Sequence, residues 1–165
     1  FLLYLSMAML WSFSAFQLLW NYLPEHYYEL LWHKFMAVFL ISVAVTYYHF
    51  VSTFTNRLSV ARLWVGYGLL TVVAFLAFGG YLIKDSQVDA NHLLKYDLGV
   101  WLYPYGILGT SFMVMAIVLL VQYYRRSTDF QVRNRTIYLL AGAIIVLSLA
   151  LTNLFPVGKY PIDQI

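Results

Sequence analysis

Five runs of about twenty apolar residues divide this chain, and each run is long enough to cross a lipid bilayer as a helix. Charged side chains are nearly absent inside the runs, because a charge at the centre of a membrane helix costs roughly 2.5–3.5 kcal/mol. With 62% hydrophobic and 10% charged residues, the chain has too little charge to cover a soluble domain. We therefore predict an all-α fold, a polytopic transmembrane helix bundle that forms a single domain over residues 1–165. The five predicted spans cover about residues 1–20, 31–54, 60–83, 101–124 and 136–154.

The basic residues are segregated by type along the chain. All six arginines lie in or beside the second and fourth gaps between the runs, and all four lysines lie in or beside the other gaps. Asp129 alone joins the arginines, whereas the other six acids accompany the lysines. The positive-inside rule places the arginine-rich side in the cytoplasm. The predicted topology has residues 55–62 and 125–135 in the cytoplasm, and residues 21–30, 84–100 and 156–165 outside. The outer segment 84–100 has room for a short interfacial helix.

Several classes of function are excluded by composition and by the motifs that the chain lacks. Without cysteine there is no disulfide, thiolate metal site or thiol nucleophile. No nucleotide-binding loop, catalytic triad or paired intramembrane carboxylate is present in the sequence, so we expect no catalytic residue, no metal and no cofactor. The net charge of +3 does not indicate nucleic-acid binding, because the basic residues sit at the ends of the runs. The expected partners are the lipid bilayer and other membrane helices, in a homo-oligomer or a larger complex, with contact to lipid, quinone or pigment.

Polar residues recur at helical spacing inside three of the runs. Because lipid cannot satisfy them, we expect them to point into the bundle. One interpretation is that they join helices through hydrogen bonds, which contribute about 0.6 kcal/mol each. The other is a cavity in the outer half of the bundle, open to a small amphipathic ligand and lined by Gln17, Asn21, Tyr103 and Asn153. The polar residues are Ser14, Gln17 and Asn21 in the first run, Ser42, Thr46, His49 and Thr53 in the second, and Ser148, Thr152 and Asn153 in the fifth.

Three further sets of residues have structural or functional interpretations. His49, the one ionisable side chain well inside a run, is either a ligand of a metal or tetrapyrrole or a hydrogen-bonded packing residue. Glycines at 66 and 68, and at 106 and 109, offer small surfaces for close helix approach. Four arginines are interpreted as anchors at the inner headgroup level, since their stems can lie along apolar surface while the guanidinium groups reach phosphate. These anchors are Arg125, Arg126, Arg133 and Arg135.

Six short segments give the chain a resemblance to a known family. They are residues 10–12 (LWS), 32–35 (WHKF), 48–50 (YHF), 101–105 (WLYPY), 133–142 (RNRTIYLLAG) and 153–161 (NLFPVGKYP). In these motifs the chain resembles the seven-helix N-terminal membrane region of bacterial sensor histidine kinases. That resemblance implies a sensory, receptor-like domain for signal transduction in the bacterial inner membrane. The five runs have the orientation of helices two to six of such a region.

A domain of this kind would be a fragment of a longer protein, and any kinase output domain would lie outside this chain. The alternative is an accessory structural subunit of a larger respiratory or photosynthetic membrane complex. In that case the aromatic faces of the helices would pack against partner helices, pigments or quinone.

Overall fold

Helices make up most of this protein, and a β-hairpin interrupts them once. A computed structural model describes residues 1–19, 26–88 and 94–154 of the chain. The fold is therefore predominantly helical, as predicted, but it also contains a two-stranded antiparallel sheet that the sequence did not predict. In chain order the elements are α1 (Leu2–Leu19), α2 (His26–Phe54), α3 (Val60–Phe78), β1 (Ile83–Val88), β2 (Leu94–Leu98), α4 (Leu102–Arg126) and α5 (Phe130–Leu154).

Among the described residues, three helices are long and apolar enough to cross a membrane, and they support a membrane protein. These helices are α2, α3 and α4. Helix α1 is apolar over Leu2–Leu18 but shorter than the length expected of a span. The arrangement with five spans stays a prediction.

Helix α2 lies at the centre of the bundle. It packs against α1, α3, α4 and β1, and its residues 41–48 are all buried. A helix that is covered on every side needs neighbours all round, which the other elements provide here. At 29 residues it is about 43 Å long, so it carries contacts from one end of the bundle to the other.

Ring contacts along α2 show which helix ends lie together. The ring of Phe54, the last residue of α2, lies 5.5 Å from the ring of Tyr123 near the end of α4. Near the start of α2, the Phe35 ring lies 5.1 Å from that of Phe78, the last residue of α3. The helices therefore alternate in direction, and the segments that follow α2 and α4 meet at one end of the bundle.

Charge divides between the two ends of the bundle as the sequence predicted. All six arginines belong to residues 55–62 and 125–135, which form what we call the arginine end. Lys34, Lys84 and Lys95 lie towards the opposite end, which we call the hairpin end because β1 packs there against α2. The placement of these ends relative to a membrane stays a prediction.

The predicted third span was too long at its C-terminal end. Helix α3 ends at Phe78 rather than at residue 83. Gly80 then takes a φ of 80°, a conformation that glycine adopts without strain, and the chain turns away from the helix axis. Leu82 and Ile83, predicted as the end of the span, are instead buried where the hairpin begins.

The interfacial helix considered for residues 84–100 is wrong for the part of that segment that the structure describes. Residues 83–88 pair with residues 94–98 as antiparallel strands. The physical reason is tertiary: β1 packs against α2 and pairs with β2, and Ile83 and Ser86 are buried in that packing. Local sequence alone does not reveal such a contact.

The predicted inner loop 125–135 was also too long. Helix α4 continues to Arg126 and α5 begins at Phe130, so the connection is reduced to residues 127–129. Asp129 explains the early start, because its Oδ1 accepts a hydrogen bond from the backbone N–H of Gln131 at 2.8 Å, as a helix N-cap does. Arg133 and Arg135 therefore lie in the first two turns of α5. Helix α2 likewise begins at His26 and not at residue 31.

The outer faces of the peripheral helices are apolar. Phe75 on α3 is 76% exposed and Tyr138 on α5 is 71% exposed. An apolar surface of this extent is stable beside lipid or another protein rather than beside water. Other exposed apolar side chains on α3, α4 and α5 are Trp64, Val65, Val72, Ile107, Ile144 and Ile145.

Candidate functional site

An apolar cleft lies between α2, α4 and α5, on the side of the bundle away from the arginine end. Its volume is about 50 Å³, which is room for one or two groups the size of water at about 30 Å³ each. Its walls are apolar except at Thr110. The lining residues are Leu40, Ile41, Val43, Ala44, Gly106, Gly109, Thr110, Met113, Val146 and Leu147.

Two glycines of α4 shape this cleft. Gly106 and Gly109 are buried, and a Cβ atom at Gly109 would lie 3.3 Å from Ile41 Cγ2. This is the close approach of helices that the sequence predicted. Gly66 on α3 is in even tighter contact with its neighbours. At Gly68 no described part of this chain comes close, because a Cβ atom there would have nothing within 4 Å.

Thr110 supplies the polar group of the cleft. Its neighbour Ser111 donates a hydrogen bond to the carbonyl of Leu108 at 2.6 Å, as helical serines and threonines commonly do. Within the described residues the Thr110 hydroxyl makes no such bond, so it is free to donate or accept one. Apolar walls with one unused hydroxyl suit a ligand that has an apolar tail and a polar group beside it.

The cavity predicted from four polar residues falls only partly within the described structure. Gln17 is partly buried on α1, and Tyr103 is 49% exposed in the first turn of α4. Neither residue lines the cleft. Asn21 lies outside the described residues, and Asn153 belongs to α5 without a described side chain. A cavity formed by these four residues stays a prediction, and the cleft in the structure has a different lining.

Five hydroxyls of the polar stripes bond within their own helices. Ser14 donates to the carbonyl of Leu10 at 2.8 Å, and Ser42 donates to the carbonyl of Val38 at 2.8 Å. The interpretation that these hydroxyls join helices is therefore wrong, because the carbonyl one turn earlier is the nearest acceptor. The same bond within the helix is made by Thr46, Thr53 and Ser148.

Tyrosine and histidine side chains make the hydrogen bonds between helices instead. The Tyr47 hydroxyl on α2 donates to the carbonyl of Leu139 on α5 at 2.8 Å. His49 Nδ1 lies 2.7 Å from the Tyr67 hydroxyl on α3, and the two rings meet edge to face. His49 thus has the contacts of a packing residue, and its role as a ligand of a metal or tetrapyrrole stays a prediction. The described residues contain no group of three or more His, Cys, Asp or Glu that could hold a metal ion.

The arginine end carries an excess of positive charge. All six arginines are exposed, and none forms a salt bridge within the described part of the chain. Asp129, the nearby acid, caps α5. Arg133 is held by Tyr124: its Nη2 donates to the Tyr124 hydroxyl at 2.8 Å, and its Cζ lies 4.6 Å from the centre of that ring. The role of Arg125, Arg126, Arg133 and Arg135 as headgroup anchors stays a prediction.

Sequence reasoning missed Thr110 and the contact between Tyr124 and Arg133. The surroundings of Thr110 depend on α2 and α5, whose neighbours cannot be read from spacing along one helix. The second contact crosses the turn between α4 and α5, whose length was overestimated. Asp129 directly before an apolar residue is an N-cap signal, and it could have shortened that turn and brought the two side chains together.

Comparison of the chain with family models, with curated proteins and with solved structures found no match. The resemblance to the membrane region of sensor histidine kinases therefore rests on the sequence motifs alone.

Proposed function

We propose that this chain is a membrane-embedded, receptor-like domain of a bacterial signalling protein and has no catalysis of its own. The cleft between α2, α4 and α5 is the observation that supports this function. An amphipathic molecule in the lipid would insert one or two groups beside Ala44 and Met113 and place its polar group near Thr110, with the rest of its tail outside the cleft. Binding would favour one spacing of these helices over another, which is how a ligand shifts a conformational equilibrium.

A continuous packed layer connects the cleft with the arginine end. Met113 lines the cleft and also belongs to a buried cluster with Val45, Tyr48 and Leu120. A change in helix spacing at the cleft would therefore shift the packing along α4 towards Arg126. In this proposal the arginine end faces the cytoplasm, where the output part of a longer protein would respond to it.

In the same proposal the chain crosses the bacterial inner membrane five times. Length and composition support three of the spans. We add α1 because it packs along α2, and α5 because it packs along α4. The six exposed arginines at one end support a cytoplasmic location for that end.

Cysteine labelling tests this orientation, because the native chain has no cysteine. Lys84 and Thr128 are exposed at opposite ends of the bundle, whereas Ser86 is buried and unsuitable. An impermeant maleimide should modify Lys84→Cys in intact cells and reach Thr128→Cys only after permeabilisation. The reverse pattern would overturn the orientation, and labelling of both variants in intact cells would overturn the number of crossings between them.

Thermal unfolding of the purified full chain tests the cleft as a ligand site. A quinone with an isoprenoid tail and a long-chain fatty acid serve as probes. A probe at 100 times its Kd should stabilise the wild type by about 2.7 kcal/mol. Thr110→Leu, which fills the cleft and removes its hydroxyl, should abolish this stabilisation, while Ser111→Leu beside it should not. Equal stabilisation of both variants, or none of the wild type by either probe, would count against the receptor function.

The outer face of α3 favours a second function, that of an accessory subunit. Trp64 and Phe75 are highly exposed there, and Gly68 between them leaves open space. A partner helix could pack into this surface as closely as α4 packs on α2. Purification in mild detergent distinguishes the two functions: a stoichiometric partner that is lost from the double variant Trp64→Ala and Phe75→Ala supports the subunit, and its absence from the wild type supports the receptor.

A further inference from the structure

We propose that the turn between α4 and α5 is a binding site for the phosphate group of an anionic lipid, and that Arg133 is its centre. This inference rests on the membrane-embedded function proposed above and adds a lipid class and one selective residue to it. It differs from general anchoring, in which all the arginines of this end would be interchangeable.

Arg133 is ordered before any ligand arrives. Its Nη2 donates to the Tyr124 hydroxyl at 2.8 Å, and its Cζ lies 4.6 Å from the centre of the Tyr124 ring. The contact joins α5 to α4, so both helices fix the position of the guanidinium group. Most of the N–H donors of the guanidinium remain available for phosphate oxygens. A cation already held in place loses less conformational entropy when it binds.

The charges around Arg133 favour an anion. Residues 125–135 contain four arginines and one acid, Asp129. The Asp129 carboxylate is bonded to the start of α5, where the positive end of the helix dipole offsets part of its charge. Arg126 ends α4 and Arg135 lies two residues beyond Arg133 on α5, so further positive charge lies near the turn.

The apolar residues beside the turn point to a lipid rather than a soluble phosphate. Phe130 at the start of α5 is 81% exposed, and Ile137 and Tyr138 are exposed about two turns further along the same helix. Exposed apolar side chains of this kind would not stabilise a bound soluble anion. The acyl chains of a lipid whose phosphate is held by Arg133 would cover them, and exposed aromatic rings are common at the headgroup level.

The test compares phosphatidylglycerol with phosphatidylcholine of identical acyl chains, using native mass spectrometry of the purified full chain. We expect the wild type to prefer phosphatidylglycerol. Arg135→Gln removes one charge from an arginine that makes no side-chain hydrogen bond or ion pair within the described residues, and should reduce the preference about fivefold. Arg133→Gln should reduce it at least about tenfold, because it also removes the ordered donors. Tyr124→Phe keeps every charge and should still reduce it about fivefold.

Equal losses in Arg133→Gln and Arg135→Gln, with none in Tyr124→Phe, would show diffuse charge attraction and overturn the site. Competition by millimolar inorganic phosphate or glycerol phosphate would assign the site to a soluble anion and overturn the lipid. Arg133→Lys keeps the charge without the planar fork and should behave like Tyr124→Phe rather than like Arg133→Gln. Circular dichroism shows whether each variant is folded. Failure of this test would leave the cysteine labelling and the Thr110→Leu result unchanged, so it is distinguishable from failure of the receptor function.

Discussion

At the hairpin end a histidine and a serine are buried and paired with each other, whereas at the arginine end the six arginines are exposed and none forms a salt bridge within the described residues. His33 Nδ1 lies 2.8 Å from the Ser86 hydroxyl in the interior, next to the buried Leu82 and Ile83. The arginine end has no such internal pairing of its charges among the described residues. One end of the bundle is therefore closed by contacts between its own side chains, whereas the charges of the other end are exposed to their surroundings.

The layers beneath the two ends differ as well. Towards the arginine end, α2, α4 and α5 share a close-packed cluster that includes Val45, Phe112 and Ala143. Towards the hairpin end, α2 and α3 pack against the strand, and the cleft lies between α2, α4 and α5. Space for a ligand is thus found on the side of the bundle where the helices do not fill the interior.

Reversing the charge of the arginine end should have the largest effect. The change is Arg125, Arg126, Arg133 and Arg135 to Glu together. Because arginines near helix ends set membrane orientation, most molecules should insert inverted or fail to insert. Labelling of Thr128→Cys in this background measures the outcome. Lys34→Glu with Lys84→Glu is the control at the hairpin end and should preserve orientation, and unchanged labelling in the arginine variant would contradict the prediction.

Overpacking the layer beneath the arginine end should have the next largest effect. A Cβ atom at Gly66 would lie 2.9 Å from Val45 Cγ1 and 3.1 Å from Phe112 Cε1, so Gly66→Leu forces α3 away from α2 and α4. The expected loss of stability is about 1–3 kcal/mol, measured by unfolding in detergent. Gly68→Leu, on the open side of the same helix, should cost far less. Equal losses would mean that this layer is not close-packed.

Removing the buried pair at the hairpin end should cost somewhat less. Ser86→Ala deletes the hydroxyl beside His33 Nδ1 and leaves a buried polar group with one partner fewer, which should destabilise the protein by about 1–2 kcal/mol. Proteolysis of the hairpin should accelerate accordingly. Ser111→Ala, which loses only a bond within its own helix, is the control. A hairpin as resistant as the wild type would show that the pair does not hold the strand on α2.

Two neighbouring tyrosines of α2 give the smallest predicted effects, and these have opposite signs. Tyr47→Phe loses the hydrogen bond to the Leu139 carbonyl and should cost about 0.6 kcal/mol. The Tyr48 hydroxyl is buried without a hydrogen-bond partner in the described structure, so Tyr48→Phe should be neutral or should stabilise by up to about 1 kcal/mol. Unfolding of both variants under one set of conditions measures the difference. A larger loss for Tyr48→Phe would show that its hydroxyl gains a partner in the membrane.

The apolar runs predicted the helices, and the spacing of the arginines predicted that all six lie at one end of the bundle. Both features follow from positions along single helices. The hairpin was not predicted, since the strand at Ile83 and Ser86 depends on burial against α2. The cleft between α2, α4 and α5 was not predicted, for a related reason. Side-chain polarity drew attention to Gln17 and Tyr103, whereas the space beside Gly106 and Gly109 results from how α4 meets its neighbours. Predicting the Tyr124–Arg133 contact requires knowing how long the turn between α4 and α5 is. The N-cap at Asp129 sets that length.

The burial of residues 41–48 on every side of α2 has a consequence for how this sequence can vary. A lipid-facing position tolerates many apolar side chains, since lipid adapts to their shape, but a position enclosed by protein must match a fixed volume. Along this stretch, small polar residues such as Ser42 and Thr46 should therefore be easier to exchange for alanine or valine than for leucine or phenylalanine. On the outer face of α3 the order should be the opposite, and leucine should replace Val72 more readily than serine does.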